Sequence, residues 1–273
     1  MSGGSGWLNG PLVTLALCWR LERRDGVTIG LTDHDRDLVI DGLRYAASPG
    51  MTPSAIRRAC GIDADTMQVD GALTSDAIGE RDLVAGRWDG ARVVLFGADW
   101  SGDGEPVSLG EGRLGSVELH DDAFSAELTG IAAALDRPVV EATSPECRAE
   151  LGDRRCRVAM AGRRRFVRVA AQDGAMLTVD AGEPVADAYG GGRLHWFGGD
   201  NAGLEEAVAW SQGAQVRLRT APVFPVTPGT LVELVEGCDK SLATCSARFG
   251  NAANFRGEPY LPGIDLLTRY PGE

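Results

Sequence analysis

Short apolar or alternating runs, broken repeatedly by turns that carry glycine and aspartate, constrain this chain more than any other feature; 37 of its 273 residues are glycine. An amphipathic helix needs apolar residues at spacings of three and four over an unbroken stretch, whereas alternation with period two between breakers marks half-buried strands. The expected fold is therefore mainly β, with barrel- or sandwich-like domains and a few short helices. Strands are expected at 12–22, 27–31, 38–40, 43–46, 91–96, 106–119 and 123–129, with Asp41-Gly42 as a hairpin signal. In the second half they are expected at 164–171, 176–179, 192–197, 206–212, 215–218 and 231–234. Helical spacing is confined to 75–85, 130–135 and a capped turn from Ser144.

A chain of this length builds real cores without a metal to hold it together. The first β-rich stretch ends near a proline-bearing segment, which predicts two domains: a β-rich N-terminal one over 1–140 and a β-rich C-terminal one over 141–273. The stretch from Asn251 onward, rich in Asn, Gly and Pro, reads as an extension ordered by its contacts. The apolar run at 11–19 lacks a preceding basic region, and no apolar stretch reaches the roughly 18 residues of a membrane span. Folding in a reducing cytoplasm is thus expected. A net charge of −12 disfavours stable binding to nucleic acid or anionic lipid. The local exception is the basic run Arg154, Arg155, Arg157 and Arg163 to Arg165 beside Cys156, which reads as a solvated face, as an offset to thiolate charge or as a site for an acidic partner.

Two cysteine pairs stand out. Eight residues separate Cys147 from Cys156 and six separate Cys238 from Cys245, so each pair can close a local loop, while only the fold can bring the two pairs together. Four thiols without histidine form a soft donor set, suited to zinc, copper(I) or an iron-sulfur cluster rather than to magnesium or calcium. Neither the tight knuckles of zinc modules nor the crowded runs of ferredoxins match these spacings. Zinc and iron-sulfur stay level on spacing alone, and ordinary buried thiols remain a third reading; a reducing compartment disfavours two disulfides. Cys18 and Cys60 stand alone and read as core or incidental thiols.

Other polar groups point elsewhere. Asp33, His34, Asp35 and Asp37 fall within five residues, yet lie between two apolar runs and lack the offsets of a calcium loop, so a turn with carboxylates capping backbone amides is expected. His120 and His195 are isolated, and no nucleophile elbow, phosphate loop or H-E-x-x-H is present, so no enzyme is expected; a carboxylate-pair glycosidase would leave no such mark. The glycines at 190–192 and 198–199 lack the strand-then-helix setting of a dinucleotide fold. Asn251, Asn254, Phe255 and Arg256 either surround the cysteine sulfurs with donors or form a plain Asn/Gly turn.

The segment Gly237-Cys238-Asp239-Lys240, Thr244-Cys245, Arg248-Phe249-Gly250-Asn251, Asn254-Phe255-Arg256-Gly257 and Pro262-Gly263 resembles the C-terminal signature of phage tail-tip hub proteins, found in lambda-type phages, prophages and gene transfer agents. The run Leu31-Thr32-Asp33-His34-Asp35-Arg36-Asp37-Leu38 is similar to a segment near the start of the same proteins. The resemblance implies a virion structural protein at the tail tip, assembled in the bacterial cytoplasm: a baseplate hub forming a ring of its own copies, a homotrimer by expectation. It would join the tail tube and distal tail protein to fibre or tip proteins. It also implies a structural [4Fe-4S] cluster on the matching positions Cys147, Cys156, Cys238 and Cys245. The alternative is a soluble metalloprotein or redox enzyme using the same cysteines for an iron-sulfur cluster or zinc.

Overall fold

The structure is a computed structural model describing residues 6–9, 11–47, 52–53, 66–72, 78–101, 104–120, 123–130 and 140–261. The chain divides into two compact units, Met1–Pro138 and Val139–Glu273. The fold is mainly β. Among the described residues no helix is long and apolar enough to cross a membrane.

The first unit is a nine-stranded sheet: β1 (Leu15–Glu22), β2 (Thr28–Thr32), β3 (Leu38–Ile40), β4 (Leu43–Ala47), β5 (Thr52–Pro53), β6 (Thr66–Ala72), β7 (Arg92–Asp99), β8 (Val107–His120) and β9 (Ala123–Gly130). Their order is β3-β4-β2-β1-β7-β8-β9-β6-β5. Period-two alternation decides what each face carries. Trp19 stands in register with Leu31 and Leu95, and these join Leu21, Val93 and Trp88 in one core. Cys18, one residue away, points to the opposite face with Phe96 and Tyr45, so it is a core thiol. Asp41 and Gly42 take the positive φ values (49° and 77°) that a two-residue hairpin turn needs. The helical expectation at 75–85 yields one short helix, α1 (Glu80–Val84). Strand β6 lay unmarked in the sequence, because TMQVDGA carries a glycine and a charge where a strand pattern would be apolar. Cys60 lies outside the described residues; of the helix expected at 130–135, Gly130 ends β9 and 131–135 lie outside them.

The second unit closes a six-stranded barrel. Its strands are β10 (Arg164–Asp173), β11 (Met176–Val179), β12 (Arg193–Trp196), β13 (Glu205–Gln212), β14 (Gln215–Leu218) and β15 (Leu231–Val235), in the order β10-β11-β14-β13-β12-β15 with β15 returning to β10. Alternate residues point inward and fill the lumen: Val167, Val169, Leu177, Val216, Leu194, Trp196, Val232 and Leu234 are all buried. A small barrel has an interior only wide enough for such side chains, so it is a core and not a channel. Register shifts at Val169/Ala171 and Val208/Trp210 bend the two long strands around the closure.

Two stretches of this unit lie outside the barrel, at 140–163 and 237–261. The capped helical turn expected from Ser144 does not form. Ser144 Oγ accepts from Glu146 N (3.2 Å), a local turn, but the Arg148 amide that would make the first helical bond to Ser144 O donates to Arg256 O (3.0 Å), and Ser144 O accepts from Glu258 N (2.8 Å) instead. The regular element here is instead α2 (Leu242–Ala247), capped by Ser241, whose side chain accepts from Thr244 N.

Candidate metal centre

Each cysteine is held by its own local device. In the first loop the Asp153 carboxylate accepts from the amides of Glu150 (3.0 Å), Arg155 (2.8 Å) and Cys156 (2.6 Å), folding 150–156 into a turn that presents Cys156. In the second, Asp239 accepts from Ser241 N (2.9 Å) and Thr244 Oγ1 (2.7 Å), fixing the lead-in to α2, which carries Cys245 on its buried side.

Further contacts bring the two loops together. Cys147 N donates to Lys240 O (2.9 Å), Arg148 N donates to Arg256 O (3.0 Å), and the Arg148 guanidinium grips Glu258 through both oxygens (2.7 and 2.9 Å). Lys240 reaches back to Ala149 O (2.7 Å) and Glu150 (3.1 Å). Two glycines of the C-terminal signature permit the close approach: a Cβ on Gly257 would lie 2.5 Å from Glu146 O, and one on Gly237 would lie 2.1 Å from Gly190 O. The glycines at 190–192 thus serve backbone packing against the strand that delivers Cys238.

As a result Cys147, Cys156, Cys238 and Cys245 line one cavity of about 20 Å³, walled by Phe249, Leu151 and Val158. Cys156 and Cys245 are buried and the other two partly so. Three of the four sulfurs accept an N–H: Cys238 from Lys240 N (3.4 Å), Cys147 from Arg256 N (3.4 Å) and Cys156 from Asn251 Nδ2 (3.7 Å). A neutral thiol is a weak acceptor, so three converging donors match a set of thiolates better than a set of thiols. Burial pushes the Cys238 and Cys245 thiols up, and the neighbouring cysteines add to the effect at Cys245. Metal binding to cysteines releases their protons, which is how metals couple to folding.

The donor chemistry fits a soft metal group. A metal bonded to sulfur sits about 2.3 Å away, closer than any non-bonded neighbour, so coordination uses space that a cavity of this size leaves out. Among the described residues no group of three or more Cys, His, Asp or Glu side chains is set to hold a metal ion as it stands.

Asn251 and Asn254 are part of this arrangement. Asn251 Nδ2 also donates to Cys156 O (2.6 Å), and its own carbonyl is fixed by Asn254 Nδ2 (2.7 Å). Arg256 contributes its backbone amide rather than its side chain. Phe249, which the sequence marked only as part of the C-terminal signature, packs its ring against the guanidinium groups of Arg163 (4.9 Å) and Arg248 (4.8 Å). Both arginines bind the buried Glu236 (2.6 and 2.7 Å), so part of the basic run ties the clasp to the end of β15. The fold uses Asp33 and Asp37 as caps: Asp33 accepts from Leu17 N (2.7 Å), and Asp37 from Ala47 N (2.9 Å) and Arg44 (2.7 Å). His195 lies on the barrel wall, its Nδ1 3.3 Å from Glu205.

A family model described as "Baseplate hub protein, N-terminal attachment domain" matches residues 5–159, and one described as "Phage conserved hypothetical protein BR0599" matches residues 187–265. The first takes in Cys147 and Cys156, the second Cys238 and Cys245. No curated protein matches the sequence. A chain of the solved structure "Virion of native gene transfer agent (GTA) particle" is 35% identical, with a TM-score of 0.86, over 100% of this chain and 97% of that chain. The resemblance carried by the sequence motifs is therefore borne out along the whole length, and the chain belongs to the family of baseplate hub proteins with this N-terminal attachment domain.

Proposed function

We propose that this protein is a structural subunit of a phage-like tail tip, without catalytic turnover, and that its four clasp cysteines hold a [4Fe-4S] cluster as a tie between two distant stretches of chain. In the particle it forms a ring of its own copies, three by expectation, and joins the tail tube and distal tail protein to fibre or tip proteins. Family membership and the likeness to a chain of a gene transfer agent virion support the tail role.

The observation that carries the cluster reading is the lining of one cavity by four cysteines from loops that the sequence keeps far apart, three of them with N–H donors on sulfur. In a cubane cluster each thiolate bonds a different iron, and a set of four cysteines without histidine, at the positions that match the family signature, supplies those four ligands. When bound, the group supplies iron–thiolate bonds that cross-link the loops. The chain's own residues do the rest: Asp153 and Asp239 shape the loops, Arg148 and Glu258 hold them in register, and Phe249 seals one wall. With all four positions taken by protein, no open iron faces a substrate, which favours a structural role.

Anaerobic purification followed by iron, sulfide and zinc analysis tests the cofactor. About four irons and four sulfides per chain, with a broad visible absorption that bleaches on oxidation, are expected; stoichiometric zinc with little iron overturns the cluster. Quantitative mass spectrometry of purified particles tests the tail role independently. The protein should be present in fixed ratio to the other tail proteins, and its absence from infectious or transducing particles overturns the hub assignment.

A further inference from the structure

Apart from the clasp cavity, the second unit carries a groove of about 740 Å³ between the 150–160 stretch and the outer wall of the barrel. That is within the size range of sites that hold a side chain or small ligand. Its floor holds Glu233 of β15, an outward position, since Val232 and Leu234 on either side point into the lumen. Although outward, Glu233 is only 8% exposed. Its polar contact among the described residues is the Arg164 guanidinium at 3.7 Å, beyond hydrogen-bonding reach.

Glu236, equally buried and lining the same groove, shows what a satisfied acid looks like here, with two arginines at 2.6 and 2.7 Å. A carboxylate as buried as Glu233 is costly without donors, and a charged donor offsets most of that cost. Across the strands, Glu233 stands in register with His195 of β12 and Phe166 of β10. Phe197, which lines the groove, is 55% exposed and meets Phe166 edge-on at 5.5 Å. Arg193, on the rim, is already held by Glu205 (2.9 Å). Arg164 has a side chain 59% exposed and can be displaced.

We propose that this groove is a docking site for an arginine side chain presented by an extended segment of a neighbouring protein chain. The planar fork of a guanidinium matches both oxygens of Glu233, and its faces stack on aromatic rings, which an ammonium does less well. The exposed Phe197 ring lies beside the path of the incoming side chain and covers its alkyl stem. Charge complementarity selects the partner: a basic segment can displace Arg164 and enter, and an acidic one meets the Glu233 carboxylate with like charge. The proposal does not depend on which group the cysteines hold.

The test uses the full chain, isotopically labelled for NMR, titrated with N-acetyl-arginine amide and with its neutral isostere N-acetyl-citrulline amide. Arginine amide should shift the resonances of His195, Phe197 and Glu233 with a Kd on the order of 1 mM, and citrulline amide should bind at least about tenfold more weakly. Glu233→Gln, checked for unchanged circular dichroism and melting, should erase the difference between the two. Should that variant misfold, Arg164→Gln provides the second readout: removing the competing cation should tighten arginine amide severalfold. Equal binding of the two ligands by the wild type, a preserved arginine preference in Glu233→Gln, or no tightening in Arg164→Gln overturns the docking site.

Discussion

The barrel and the cysteine clasp belong to one unit, yet different physics holds them. In the barrel every strand is paired on both sides, and a lumen of branched and aromatic side chains supplies the driving force, so its stability is spread over many interchangeable contacts. The clasp has one short helix and a single three-residue turn, Ala252–Asn254, and relies on named hydrogen bonds, ion pairs and four sulfurs. Losing one methyl group from the barrel lowers a sum, whereas the clasp depends on a few specific contacts, such as Arg148 with Glu258 and Lys240 with Ala149 O and Glu150, so each one counts. A fold can thus carry a non-redundant joint provided it is built onto a redundant core.

The comparison breaks most visibly at the sulfurs. On the proposed cluster reading Cys238→Ser causes the largest effect, because metal binding to a thiolate site is itself folding free energy, roughly 10–16 kcal/mol for structural zinc. Iron and sulfide content should fall sharply, and limited proteolysis should cut within 140–163 and 237–261 while the barrel strands keep their hydrogen-exchange protection. If barrel and clasp lose protection together, the two are one cooperative element and the contrast fails.

Leu194→Ala should act the other way round. A fully buried leucine of the lumen should cost about 2–5 kcal/mol in denaturant unfolding, yet leave the metal content per folded chain unchanged. Glu236→Gln probes the joint between the regions, since Glu236 follows β15 and binds Arg163 of the first loop and Arg248 of the second. Leaving two arginines without their buried acid should cost about 3 kcal/mol, with loss of both barrel stability and metal retention. A change confined to one readout would show that the clasp is anchored elsewhere.

The smallest effect is expected from acid. Burial alone would raise the Glu183 carboxyl, but donation from Ser211 Oγ and from the Gly213 and Ala188 amides outweighs it and holds the group below its ordinary value of 4.5. A depressed carboxyl contributes stability that is complete above about pH 4.5 and is lost as pH falls through the lower folded value. Hydrogen bonds to a charged group of this kind are worth about 1 kcal/mol when partly solvated. Barrel unfolding followed against pH should therefore weaken below pH 4.5 by that order, and Glu183→Gln should flatten the slope; an unaltered slope assigns it to other acids.

Much of the barrel was legible in the sequence because alternation is a one-dimensional code. A residue's parity along a strand fixes its face, so 164–171, 176–179, 215–218 and 231–234 could be marked as strands without knowing their partners. The TDHDRD segment was legible for a similar reason, since Asp33 and Asp37 cap amides close to their own strands. Helix α2 was missed although Ser241 stood where a cap belongs, because six residues between two cysteines look like a loop when no apolar spacing supports a helix. Strand β6 was missed because pairing with β9, not its composition, makes it a strand.

The sequence by itself determined the mainly β character, the soft donor set and the family resemblance, since each depends on residue type and local spacing. Only the tertiary structure decided that Cys147 and Cys156 share a cavity with Cys238 and Cys245, that Asn251 and the Arg256 amide aim at sulfur, and that Arg163 packs on the Phe249 ring. Such contacts join residues separated by most of a domain, and barrel closure, which fixes where β10 begins and β15 ends, sets where those residues meet. Period and spacing describe how a chain runs, and convergence in space belongs to the path it takes through the fold.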